Sequence, residues 1–417
     1  MKKLNTLFHG DKAIWIIFLF LCIISLIEVF SAASLLSYKS GSYWVPLIRH
    51  GLFLAVGAAI VVLIHNIPCR WFKLVPIFFI PLSVVLLLML LLGLGVRVNE
   101  GARWMDIFGL RFQPSEIAKG SLVVATALVL STMQTEKGAD KKAFKYICWL
   151  AIPLCALIFP ENLSTSGLLF GVIVLMMFIG RVSIKQLSKL AGIIILGVSL
   201  CVISLMSIPK SAEPEFSKKP LVGRCVTWKH RLMDHLEKKT YVPPEDFDLD
   251  KNGQVGHANI AIASSNIFGK MPGNSVERDF LSQAFSDFIY AIIIEELGLI
   301  GGAGVVFLYI VILFRAARIA NKCQRNFPAF LVIGLALLLV SQAMLNMLVA
   351  VGLFPVTGQP LPLISRGGTS TLINCVYIGM ILSVSRYIDT EDPNNQETQS
   401  ADENVITAEF QKDKGLS

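Results

Sequence analysis

The polar stretch 209–286 interrupts an otherwise apolar chain and ends at Asp287, where the next apolar run begins. A carboxylate at that join would sit at a membrane–water boundary, facing whatever the long insert encloses. Ionisable groups at membrane depth are costly to keep there, which makes them functional candidates. Ser286-Asp287 also fits a helix N-cap, where a side-chain oxygen would accept from a backbone N–H. Glu295 follows eight residues later, about 12 Å along a helix axis. That is too far to share a proton, so Asp287 reads as a single base or a metal ligand.

Four stretches are too polar, or too rich in Gly and Pro, to be plain connections in a helical bundle. In 101–119, Pro114 suits a first helical turn, and Glu116 and Lys119 then lie three apart on one face, able to pair. The pair is either a helix-start ion pair or, with Arg103, part of a polar wall open to an anionic ligand. The turn 160–165 offers Ser or Thr as an N-cap. The insert carries Gly269-Lys-Met-Pro-Gly-Asn-Ser275, where glycines allow backbone amides close to a ligand; Lys270 is its cation. In 355–370, three prolines and three glycines around Ser365 exclude continuous helix. Irregular backbone at membrane depth persists only inside protein or along a wet cavity.

The elements that must position these residues follow from composition. Of 417 residues, 54% are hydrophobic and 16% charged, with mean hydropathy +0.65, as expected of a polytopic membrane protein. The formal charge of +8 does not indicate nucleic acid, because the basic residues fall between apolar runs. Spans are expected at 13–33, 49–67, 74–95, 116–133, 146–160, 166–181, 190–208, 288–314, 328–354 and 369–386. The fold class is therefore all-α, with ten transmembrane helices and a long extracytoplasmic loop between helices 7 and 8. The groups Lys2, Lys3 and Lys12; Arg70 and Lys73; Lys137 to Lys145; Arg181 to Lys189; Arg315 to Arg325; and Arg386 all fall on one side, which is cytoplasmic by the positive-inside rule. Both termini are then inside, and 97–115, 209–286 and 355–368 outside. Residues 1–388 form one transmembrane unit, and 389–417 read as a disordered acidic tail. No cleavable signal peptide is expected, since the first apolar run is long enough to span. The 8 cysteines lack metal-ligand spacing, and Cys225 alone lies in the insert, so they read as small buried hydrophobes.

The blocks Gln113-Pro-Ser-Glu-Ile-Ala-Lys119, Ser286-Asp-Phe-Ile-Tyr-Ala291 with Glu295-Glu-Leu-Gly298, and Pro355-Val-Thr-Gly-Gln-Pro-Leu-Pro-Leu-Ile-Ser365 with Gly367-Gly368 resemble signatures of the SEDS family. These are the shape, elongation, division and sporulation proteins, which include the FtsW and RodA types. The resemblance covers nearly all of 10–388. It implies a peptidoglycan glycosyltransferase of the bacterial plasma membrane that polymerises lipid II, works with a class B penicillin-binding protein, and makes no use of nucleic acid. It matches Asp287 to the family's essential aspartate, Glu116 and Lys119 to the cavity wall, and Arg103 to the arginine of a Gly-Ala-Arg-Trp segment. Departures are Ser286 for Thr, Asn162 for a carboxylate, Ile294 for Gly and Arg366 for Tyr.

The expected chemistry joins two sugars. A 4-hydroxyl attacks the anomeric carbon of another sugar, expelling lipid pyrophosphate with inversion, and Asp287 takes the proton. The leaving group needs positive charge, from Arg or Lys or a divalent cation (Mg or Mn) held by Asp287. Candidate substrate contacts are Arg103, Glu116, Lys119, Lys270 and Ser365. A lipid II flippase shares the spans and the ligand, but it would favour midplane polar groups and paired broken helices. Here the polar constellations gather at the outer face, and no internal repeat is evident. A recruiting scaffold would not need the acidic residue. Within the family the cell-division type at the septum, with divisome partners, is expected over the elongation type.

Overall fold

The computed structural model describes residues 9–32, 44–98, 101–107, 110–206, 229, 233, 249–281 and 285–391. Every expected span is a helix: α1 Lys12–Ala32, α2 Trp44–Asn66, α3 Val75–Leu91, α4 Pro114–Thr132, α5 Lys141–Ile158, α6 Leu163–Ile179 and α7 Ile184–Met206, then α9 Ile289–Lys322, α10 Asn326–Ala350 and α11 Thr369–Glu391. Between them lies α8, Leu249–Ala263, in the insert. Eight helices among the described residues are long and apolar enough to cross a membrane, and Leu163–Ile179 is apolar but shorter. The expected ten is reached only by counting that helix and α5, which opens on lysines. The first part of the expected tail is helical, since α11 runs to Glu391; 392–417 lie outside the described residues.

Several helices extend past the apolar run that announced them. At α5, Asp140 accepts from the Lys142 amide at 2.8 Å, capping a start that hydropathy alone would miss. At α9, the Ala- and Arg-rich stretch after Phe314 keeps helical propensity after the hydropathy falls.

Two small sheets qualify the all-α expectation. Segment 97–115 is not a simple loop: β1 Val96–Val98, β2 Gly101–Ile107 and β3 Leu110–Phe112 form an antiparallel sheet in that order. Met105 is buried, its side chain in an apolar cluster with Leu86 and Leu90 of α3, while its neighbour Asp106 is exposed, the period-2 pattern of a half-buried strand. The pairing slips between Val96 and Arg97, leaving Arg103 as the extra residue of β2. A second hairpin, β4 Gln134–Thr135 with β5 Gly138–Ala139, joins α4 to α5.

α4, α10 and α11 are the most enclosed helices. α11 packs on α2, and α10 packs on α4 and α9. Exposed apolar side chains such as Phe78, Ile193 and Phe307 line the outside, as a lipid-facing surface requires.

α9 is interrupted. Gly298 adopts φ 73°, ψ −176°, splitting the helix into two. The insert closes the gap: the Lys270 and Met271 amides donate to the Glu295 and Glu296 carbonyls at 2.9 and 2.8 Å, while the Leu299 and Ile300 amides donate to Asn266 and Ile267 at 3.4 Å each. The backbone groups freed by the break are thus satisfied within protein.

Candidate active site

The stretch 355–368 is irregular, as its prolines and glycines demand, and its carbonyls are claimed by polar side chains from several helices. Asn162, the N-cap of α6, donates to Thr357 O at 3.4 Å. On α10, Asn346 donates to Gln359 O at 2.7 Å and Gln342 to Pro360 O at 3.1 Å. Tyr309 of α9 donates to Pro362 O, and Ser25 of α1 to Ile364 O at 2.7 Å. Gln359 in turn donates to Thr165 of α6. Leu363 is held at φ 65° between two of these anchors, a conformation L side chains rarely adopt. The result is a fixed, largely buried irregular segment held among α1, α6, α9 and α10.

Asp287 abuts it, immediately before α9. Its own carbonyl accepts from Asn346 at 2.9 Å. The preceding carbonyl, of Ser286, accepts from the Ser365 hydroxyl at 2.6 Å, and Phe285 O accepts from the Arg366 amide at 3.0 Å. The carboxylate is partly exposed and takes a hydrogen bond from the Ser286 hydroxyl at 3.0 Å. Phe288, not Asp287, occupies the N-cap position, with no side-chain capping bond. The capping alternative therefore falls away, leaving a carboxyl on a braced backbone.

Positive charge at this corner comes from Arg366. Its guanidinium lies 5.6 Å from the Phe285 ring centre, a cation–π contact, and no carboxylate pairs with it among the described residues. Burial, and then neighbouring Arg49, pull it below the usual guanidinium range. Arg49 is brought near because Ser25 bridges His50 at 2.8 Å to the Ile364 carbonyl. Neither guanidinium has a carboxylate partner among the described residues, an arrangement that favours an anion.

The other expected contacts are distributed differently. Lys119 and Glu116 do pair, at 2.8 Å, but their side chains are 0% and 1% exposed. Lys119 also donates to Gln342 at 2.7 Å, so the pair braces the residue that holds Pro360. Ser365 is likewise buried, donating to Ser286 O and accepting from the Leu361 amide at 2.7 Å; it positions the Asp287 turn. Lys270 lies at the α9 break, paired with Glu295 at 2.7 Å and Ser264 at 2.8 Å, away from Asp287. Arg103 lies in β2, and its side chain is outside the described residues. The hairpin itself meets the loop through Thr369, which donates to Arg111 O at 3.2 Å.

Among the described residues no three His, Cys, Asp or Glu side chains gather as a metal site. A partly exposed carboxylate such as that of Asp287 suits Mg²⁺, which commonly takes one or two protein carboxylates and completes its shell with phosphates and water. Residues missed from sequence are Gln342, Asn346 and Tyr309. The first two are polar groups one turn apart in an apolar span, a signal that was available.

The family model described as cell cycle protein, covering the FtsW, RodA and SpoVE types, matches residues 11–390. The chain belongs to this family. A probable peptidoglycan glycosyltransferase FtsW of Halomonas elongata is 29% identical over 370 residues, 87% of this chain and 86% of its own. A second so named, from Nitrosococcus halophilus, is 30% identical over 341 residues, 81% of each. A chain of a peptidoglycan synthase complex that coordinates polymerization and crosslinking shares the fold, with TM-score 0.67 and 22% identity over 92% of this chain and 99% of that one. As a member of the FtsW, RodA and SpoVE family, the chain is a polytopic helical membrane protein.

Proposed function

We propose that this protein is a peptidoglycan glycosyltransferase of the cell-division type, polymerising lipid II at the outer face of the bacterial plasma membrane. The observation that carries the reading is Asp287: a partly exposed carboxylate on a turn whose backbone is fixed by Asn346 and Ser365, next to Arg366, which has no acidic partner among the described residues. The acceptor 4-hydroxyl gives its proton to Asp287 as its oxygen bonds to the donor's anomeric carbon. The bond from that carbon to the lipid pyrophosphate breaks, and the pair of electrons leaves with the pyrophosphate. A positioned general base is worth roughly 10²–10⁴-fold. Arg366, with Arg49, faces the pyrophosphate in place of Lys119, which is already engaged. A divalent ion, when bound by Asp287 and the pyrophosphate, would add positive charge at the leaving group. A class B penicillin-binding protein supplies crosslinking, divisome proteins place the pair at the septum, and both termini lie in the cytoplasm.

The test is to purify the protein with and without its transpeptidase, add lipid II with Mg²⁺ or Mn²⁺, and resolve products by size. Glycan ladders from wild type, absent with Asp287→Ala that still inserts, support a polymerase. One observation leans toward transport: α9 is broken, as substrate-site helices of transporters are. Its broken ends are closed by the insert, however, and no second broken helix occurs among the described residues. Lipid II crossing vesicle membranes without any ladder would move the assignment to a flippase.

A further inference from the structure

Glu28 stands apart from everything described so far. It lies one turn from the outer end of α1, its side chain is 0% exposed, and neither carboxylate oxygen has a hydrogen-bond partner among the described residues. α1 packs against α9, and Glu28 lies within electrostatic reach of Glu296. Glu296 is also fully buried; one oxygen accepts from Ser31 and from the Ser275 amide at 3.4 Å, and the other has no partner.

The surrounding charge does not balance. Glu295 is matched by Lys270 at 2.7 Å. Arg278 turns to Ser31, donating to its carbonyl at 3.2 Å and its hydroxyl at 3.1 Å, and it contributes the other positive charge near Glu296. Asp279, 3.9 Å from Arg278, is half exposed, and Glu277, buried, is paired with His257 at 2.6 Å. Among the described residues bonded in this cluster, Lys270 serves Glu295 and Arg278 stands by Glu296, while Glu28 has neither. An isolated buried carboxylate costs several kcal/mol or more, so Glu28 gains from any bound positive charge.

We propose that Glu28 and Glu296 together bind one small hard cation, either a proton or an oxygen-seeking metal ion. The bound charge locks the outer end of α1 to the break in α9. Three oxygens without partners, two on Glu28 and one on Glu296, belong to two packed helices, and Ser31, three residues on from Glu28 on the same face of α1, donates to the second carboxylate. The same Ser31 accepts from the Gly273 amide at 3.2 Å, so the site also ties down the insert. A proton needs one of these oxygens; a metal ion takes several, with backbone carbonyls or water completing its shell.

The experiment is thermal unfolding of the full-length protein in nanodiscs, after chelation, across pH and across added Na⁺, K⁺, Mg²⁺ and Mn²⁺. Wild type is compared with Glu28→Gln, which keeps the shape and removes the charge. A metal site raises the wild-type midpoint as one ion is added, as a ligand specific to the folded state must, and Glu28→Gln loses that response. A proton site gives no ion response; the wild-type midpoint falls as pH rises through release of the proton, and Glu28→Gln flattens that fall. Identical midpoints for the two proteins at every pH and in every ion overturn the proposal. If Glu28→Gln does not accumulate, Glu296→Gln removes the same excess charge and must show the same loss of response. Neither readout involves lipid II, so failure here is separable from failure of the polymerase reading.

Discussion

Asp287 and Glu295 belong to one stretch of chain, eight residues apart, yet their surroundings are opposite. Glu295 is fully buried and saturated, taking Lys270 at 2.7 Å, the Val276 amide at 3.1 Å and the Ser275 hydroxyl. Asp287 is partly exposed; Asn346 and Ser365 hold the backbone of its turn, and the Ser286 hydroxyl reaches its carboxylate. The clasp at the α9 break therefore uses its charges to hold chain to chain. The corner at the loop uses neutral amides and hydroxyls for holding and leaves its charges facing outward. Burial and pairing, not residue type, separate a structural carboxylate from a chemical one.

The sharpest way to break that comparison is Asp287→Asn. It keeps size and most hydrogen bonding but removes the base, so polymerisation should fall roughly 10²–10⁴-fold, with the unfolding midpoint unchanged. A variant that unfolds early but retains turnover would put Asp287 in the structural class with Glu295. Next is Lys119→Ala. Removing one partner of a buried pair leaves Glu116 uncompensated, at a cost of about 3–5 kcal/mol, read as a loss of folded protein on denaturation. Stability left intact with weaker lipid II binding would return Lys119 to the ligand face.

A smaller effect is expected at the clasp from Gly298→Ala. The new Cβ would lie 2.2 Å from Ile267 O and 2.5 Å from Gly269 N, at a φ of 73°. Backbone strain of this kind costs about 1–3 kcal/mol, and the pairing of 266–271 with the broken helix must shift. Limited proteolysis should then cut within 264–281 faster than in wild type, while the Asp287 corner stays intact. Unchanged cleavage would mean that the insert is held by something other than the break.

What could be read in advance divides along the same line. Apolar runs gave the helices, because span length is a local property. The i, i+3 spacing of Glu116 and Lys119 gave their pairing, and the prolines of 355–368 gave its irregular course. Burial was not legible, so Lys119 and Ser365 were expected to meet substrate and instead brace the wall. The break in α9 was hidden as well: glycines at 298, 301, 302 and 304 do not mark which one interrupts the helix, and the partners that stabilise the gap come from residues 266–271, across the fold. The β1–β3 sheet was missed although 101–107 alternates, since a seven-residue strand between two spans looks like a connection.

The two arginines extend the comparison to cations. Arg278 at the clasp donates to Ser31 and stands close to buried carboxylates. Arg366 at the corner has a ring beneath it and Arg49 nearby, so an arriving anion improves its situation. Charge-assisted hydrogen bonds contribute about 1.5–3 kcal/mol, and tenfold in affinity corresponds to about 1.4 kcal/mol. Arg366→Gln should therefore raise the KM for lipid II roughly tenfold with kcat less affected, and weaken inhibition by undecaprenyl pyrophosphate in parallel. Arg278→Gln should leave KM alone and lower the unfolding midpoint. If the two variants behave alike, the corner is a second clasp, and the positive charge opposite the leaving group must be sought in the β2 hairpin that carries Arg103.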